Sequence, residues 1–137
     1  MALPNGAGGY QNNAGNPSEP IISLTDAPIS VTGTATLTAA QLINGLLLVG
    51  SGASSAQTYT LPTVALLEAA IPNTDRIGTT FQFRVVNLGT GSGTAIIAAG
   101  TGWTVTGSLT MTIPATTGAL LVARKTSATT WVLYRVA

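Results

Sequence analysis

The nine residues Leu42-Ile43-Asn44-Gly45-Leu46-Leu47-Leu48-Val49-Gly50, "LINGLLLVG", are the most apolar stretch of a chain with very little charge. Three readings compete for them: a membrane segment, a helix, or a strand buried on both faces. A membrane helix needs roughly 18 or more apolar residues, and this run is far shorter and has a turn signal inside it. The residues just upstream choose between the other two. Thr38-Ala39-Ala40-Gln41 has the form of a capping box, in which the Thr38 hydroxyl takes an orphan N–H and Gln41 reaches back. One helical turn from Ala39 to Ile43 is expected, stopped where Asn44-Gly45 turns left-handed. Leu46 to Val49 then reads as a short strand, apolar on both faces and expected to be buried on both, bounded by Gly50-Ser51-Gly52.

Working outward, residues 21–37, "IISLTDAPISVTGTATL", alternate and are rich in β-branched side chains. They read as two strands about a turn at Asp26-Ala27-Pro28. Residues 1–20 are rich in Gly, Asn and Pro and show no hydrophobic period, so alone they cannot offset their ordering entropy. They read as an extended N-terminal arm, held by a partner surface. Downstream, "AQTYTLP" places Gln57, Tyr59 and Leu61 on one face and Thr58 and Thr60 on the other. Thr63 to Ile71 is the best helix candidate, capped by Thr63 and stopped by Pro72. "TTFQFRVVN" is the clearest strand, with Phe81, Phe83 and Val85 opposite Gln82, Arg84 and Val86. "SLTMTIP" sends Leu109, Met111 and Ile113 inward, and the last two strands form a hairpin across Thr126-Ser127-Ala128.

Short strands at spacings of roughly 8–12 residues predict an all-β fold, a jelly-roll-like antiparallel β-sandwich with one or two short helices. A β-helix is the competing architecture, but no fixed period supports it. The expected domains are the arm over 1–20 and the sandwich over 21–137.

Composition narrows function. The chain has 137 residues, of which 7% are charged, with a net charge of +1 and no cysteine or histidine. An ordinary soluble protein carries roughly 25% charged residues, so here 23 threonines with Ser, Gly and Asn must supply the polar surface. Weak net charge favours association with like copies. Lack of His removes the usual general base and the commonest metal ligand. The five bases are spread out without an aromatic ladder, so no nucleic-acid partner is expected. No membrane partner is expected either, and no secretory signal opens the chain.

Catalytic candidates are few. Lys125, the single lysine, is formally available for a Ser–Lys pair, but it reads as a solvated turn residue. Glu68 and Asp75 would make a carboxylate pair of the glycosidase type, yet four acids in the chain make chance proximity the better reading. "GTGSG" (89–93) and "GTG" (100–102) lack the Lys-Ser/Thr ending of a phosphate loop and read as hairpin glycines. No catalytic, metal or cofactor site is expected. Tyr59, Trp103, Trp131 and Tyr134 fill a core, build a subunit interface, or form a sugar platform.

Four segments in order, "ATLTAAQLINGLLLVGSGASSAQTYTLPTVALLEAAI", "IGTTFQFRVVNLGTGSGTAIIAAGTGWTVTG", "SLTMTIPATTGALLVARKT" and "TTWVLYRV", resemble small β-sandwich modules of tailed-bacteriophage virion proteins. Capsid decoration (cement) proteins and head- or tail-fibre modules are the nearest types. The resemblance covers residues 34–136 and rests on a pattern, not on a diagnostic motif. It implies a non-enzymatic virion protein, commonly trimeric, and transfers no catalytic residue. One module behind a twenty-residue arm suits the shell better than a fibre. The expectation is therefore a homotrimer on the outer surface of a capsid, made in the host cytoplasm and bound to the major capsid protein. Leu3, Pro4, Tyr10, Gln11, Asn12 and Asn13 are the candidate capsid contacts of the arm. The alternative is a head- or tail-fibre module that recognises host glycans.

Overall fold

A computed structural model describes residues 26–106 and 111–137. The elements run β1 (Ile29–Val31), β2 (Ala35–Thr36), α1 (Ala39–Ile43), β3 (Leu46–Val49), β4 (Gln57–Thr60) and α2 (Val64–Ala70). They continue with β5 (Thr80–Asn87), β6 (Ala95–Ala98), β7 (Trp103–Thr106), β8 (Thr112–Ile113), β9 (Gly118–Lys125) and β10 (Trp131–Arg135). The fold is mostly β, with two sheets and no barrel among these residues.

"LINGLLLVG" folds as its cap dictates. Thr38 Oγ1 accepts from Gln41 N at 3.3 Å, and Gln41 Oε1 accepts from Thr38 N at 2.8 Å, closing the capping box. Gly45, at φ 85°, ends α1 and turns the chain into β3. Only one face of β3 enters the core: Leu47 and Val49 are fully buried, whereas Leu46 and Leu48 are half-buried. Burial on both faces needs a third layer, and two sheets give each only one inner face.

The six-stranded sheet has the order β1-β3-β5-β9-β10-β7 and the four-stranded sheet the order β2-β4-β6-β8. Every connection from β1 to β9 changes sheet, and only β9–β10 is a hairpin. A chain that crosses to the other layer and returns in the same sense meets its earlier strand in parallel. Five of the eight pairings are accordingly parallel, which corrects the antiparallel expectation. The glycine stretches at 89–93 and 100–102 are corrected with it: they carry β5 to β6 and β6 to β7 across the layers, not around hairpins.

Both sheets contribute to one hydrophobic cluster, from Leu47, Phe83 and Leu133 on one side to Tyr59, Ile97 and Ile113 on the other. Alternation along β5 and β4 is as the sequence indicates, and Met111 and Ile113 point inward; Leu109 lies outside the described residues. At one end a buried asparagine organises the crossings. Asn87 donates to the carbonyls of Gly93 (2.8 Å) and Ile113 (2.9 Å) and accepts from Gly89 N (2.9 Å). This close packing requires glycine nearby. A Cβ on Gly93 would lie 2.1 Å from the Ala53 carbonyl oxygen, and one on Gly50 would lie 2.7 Å from Asn87 Oδ1.

At the other end Trp103 Nε1 donates to Pro62 O at 2.8 Å, tying β7 to the turn that opens α2. Trp103→Phe keeps an aromatic six-membered ring but removes the N–H and strands that buried carbonyl. Its expected cost is about 1–2 kcal/mol, read as a lower denaturant midpoint at unchanged slope.

Candidate functional site

The polar cluster richest in chemistry grows from α2. Thr63 caps this helix, its Oγ1 accepting from Leu66 N at 3.3 Å, while Val64 and Leu67 anchor its inner face. Glu68 therefore points along the seam between α2 and the β9–β10 hairpin. There its Oε1 accepts from Lys125 Nζ at 2.5 Å and from Trp131 Nε1 at 2.9 Å. Lys125 Nζ also donates to the Thr74 carbonyl at 2.6 Å. The Lys125 side chain is only 4% exposed and that of Glu68 24%.

This overturns the reading of Lys125 as a solvated turn residue. It is the last residue of β9, and the strand alternation that buries Ala119, Leu121 and Ala123 carries it inward too. Burial of an ammonium demands a paired acceptor, and Glu68 is that acceptor. Among the described residues this is the one ion pair. The Lys125 ammonium, with the Trp131 N–H, holds the Glu68 carboxyl below the usual carboxylate range. Chemically the cluster is a latch between helix and hairpin: one carboxylate oxygen is shared by two donors, and the ammonium is engaged twice.

Glu68 and Asp75, the candidate carboxylate pair, line one open cleft of about 560 Å³ with Thr74 and Lys125. Asp75 is exposed, whereas Glu68 turns its Oε1 into the latch. A smaller hollow of about 250 Å³, between Thr63, Val64, Gly102 and Thr129, reaches Glu68 from the other side. Among the described residues no three His, Cys, Asp or Glu side chains gather as metal ligands. No described helix is long and apolar enough to cross a membrane.

The four aromatics separate. Tyr59 and Trp131 are fully buried and Trp103 is 7% exposed, all within the single chain's core. The Trp131 ring stacks edge-on to Phe81 and tilts against Trp103, with centroids 5.7 and 6.1 Å apart. The Tyr59 hydroxyl donates across the layers to the Thr32 carbonyl at 3.3 Å, and burial pushes its phenol above the ordinary range. These three rings are occupied inside the chain and are not an interface or a sugar platform, since alternation turns each inward. Tyr134 alone reaches the surface, at 37% exposure on the outer side of β10. The candidate capsid contacts Leu3, Pro4, Tyr10, Gln11, Asn12 and Asn13 lie outside the described residues.

Two features escaped the sequence. Asn87 ended a strand without marking itself as a buried pivot, although a polar residue at an inward β5 position was the available signal. The Glu68–Lys125 contact spans 57 residues and left no local pattern. The chain matches no protein-family model, and no curated protein or solved structure is significantly similar to it.

Proposed function

We propose that this protein is a structural virion protein that decorates a bacteriophage capsid and stabilises it by binding across neighbouring capsomers. It acts by binding alone, as a homotrimer on the outer surface of the head, with residues 1–20 as the arm that meets the major capsid protein. The observation that carries this reading is the run of segments over residues 34–136 that resembles small phage virion modules. The charge-poor composition fits it, because near-neutral surfaces pack closely on a shell without strong repulsion. The fate of the polar groups fits it too: the one lysine and its carboxylate partner are committed to a latch.

Three arms joined in one trimer raise the effective concentration of each, strengthening attachment by roughly 10²–10⁴ without a new contact. Capsomers bridged in this way resist separation under the pressure of packed DNA.

Gold-antibody labelling of intact virions, with copy number from quantitative gels, tests the location. Label over the whole head at hundreds of copies is expected; label at the tail tip alone, at a few copies, would select the fibre reading instead. Deletion of residues 1–20 is expected to leave the thermal transition of the domain unchanged and to abolish capsid binding. Equal binding by the truncated protein would remove the arm from the mechanism.

A further inference from the structure

Residues 65–77 are tied to the two sheets at very few points. At one end Val64 N donates to Thr101 O at 3.0 Å, and at the other Gly78 N donates to Lys125 O at 2.9 Å. Between these pairings, among the described residues, every hydrogen bond that leaves the segment's own turns is made by two side chains. Lys125 Nζ donates to Glu68 Oε1 and to the Thr74 carbonyl, and Trp131 Nε1 donates to the same Glu68 oxygen. The other bonds are local: Leu67 N to Thr63 O, Ile71 N to Leu67 O, and Thr74 Oγ1 to Ile71 O.

Apolar anchorage is as sparse. Leu67 is fully buried and Ile71 packs partly against the core, whereas Leu66 and Ile77 are 61% and 64% exposed. The hollows of about 560 and 250 Å³ lie on either side of Glu68. The seam between α2 and the hairpin is therefore open on both flanks of the latch. A segment with few buried apolar contacts and few bonds to its surroundings opens at lower free energy than the strands beside it.

We propose that residues 65–77 are a hinged flap closed by the Lys125–Glu68–Trp131 latch, and that loss of the Glu68 charge opens it while both sheets stay folded. The Val64–Thr101 and Gly78–Lys125 pairings are its hinges, and Gly78 supplies the left-handed turn, φ 97°, at the second. Opening withdraws Leu67 from the core and uncovers the indole of Trp131, which packs beside Phe81 and Trp103. Among the described residues, Lys125 of β9 is the one cation facing Glu68, and β10 presents the Trp131 N–H. Helix α2 has no other titratable residue. Asp75, from the following loop, lines the same cleft but is exposed and makes no described contact with the latch.

The flap is independent of the capsid reading, and native-state hydrogen exchange of the isolated chain tests it. The amides of Leu67 and Ile71 report the flap, because a seven-residue helix does not persist once detached. In wild type they are expected to exchange at least tenfold faster than the core amides of β5 and β9. Urea below the unfolding midpoint should speed exchange in those strands and leave the flap amides nearly unchanged, since opening exposes little surface. Glu68→Ala is expected to speed flap exchange about thirtyfold or more. Asn87→Ala, at the other end of the domain, weakens closed and open forms alike, so it should speed exchange in the strands and not in the flap. With intrinsic rates divided out, flap protection in wild type should fall as pH is lowered from 7 to 3, and fall less in Glu68→Gln.

Equal protection of flap and strands in wild type would overturn the proposal, as would a rise in flap exchange that follows urea or Asn87→Ala in step with the strands. Wild-type exchange at Leu67 and Ile71 in Glu68→Ala would remove the latch from the mechanism. The urea series needs no variant, so it decides the matter even should Asn87→Ala fail to fold.

Discussion

Asn87→Ala is expected to lower the unfolding free energy by about 3–5 kcal/mol, a large fraction of the stability of a domain this size. The wild-type side chain is fully buried and satisfies three backbone groups: Gly93 O, Ile113 O and Gly89 N. Truncation strands Gly93 O and Gly89 N, each at about 1–3 kcal/mol, and takes one of two partners from Ile113 O, which stays paired with β6, while a water entering the vacated space recovers part of the loss. Because these groups lie on the β5–β6 crossing loop and β8, the damage falls where the two layers are joined. Asn44 provides the comparison. Its Nδ2 contacts with Ala27 O and Leu46 O, both 3.2 Å, sit in a more open environment, so Asn44→Ala should cost less than about 1 kcal/mol. Denaturant unfolding of the two variants checks the contrast. An Asn87→Ala midpoint as close to wild type as that of Asn44→Ala would mean the crossings are held by packing alone.

Glu68→Ala is expected to cost about 2–4 kcal/mol, because it leaves the nearly buried Lys125 ammonium with the Thr74 carbonyl as its remaining described acceptor. The Trp131 N–H loses its acceptor in the same step. Lys125→Met in the Glu68→Ala background should restore part of the loss, since an uncharged chain of similar length needs no partner there. The ion pair also sets a pH dependence. The folded-state value of the Glu68 carboxyl lies below its ordinary 4.5. Its contribution is therefore complete above pH 4.5 and is lost as pH falls through the lower folded value. Glu68→Gln should flatten this acid-side decline in denaturant midpoints measured from pH 7 to pH 3. A variant that declines as steeply as wild type would assign the acid sensitivity to another group.

Much of the local structure is legible in the sequence. Thr38 with Gln41, and Thr63 with Pro72, marked both helices, because caps and stops act within four or five residues. The alternation of "TFQFRVV" and "QTYT" marked strand faces, because a strand against a single core must bury every second residue. Lys125 was misread by the reverse of that logic: a charge near a turn looked solvated, while its place in the alternation pointed inward. The latch itself was hidden, since Glu68 and Lys125 meet only once α2 settles beside the last hairpin.

What this sequence determined alone was therefore short-range: where each element begins and ends, which side of each strand is apolar, and that charge is scarce. The tertiary structure decided which strands are neighbours. Glycine-rich loops of the same composition serve a hairpin or a crossing between layers, and only packing of both sheets on one core selects the crossing. That selection makes most pairings parallel and buries Asn87, at the end of β5, against β8. It also brings Lys125 to Glu68 and leaves Tyr134 as the one aromatic of the four at the surface.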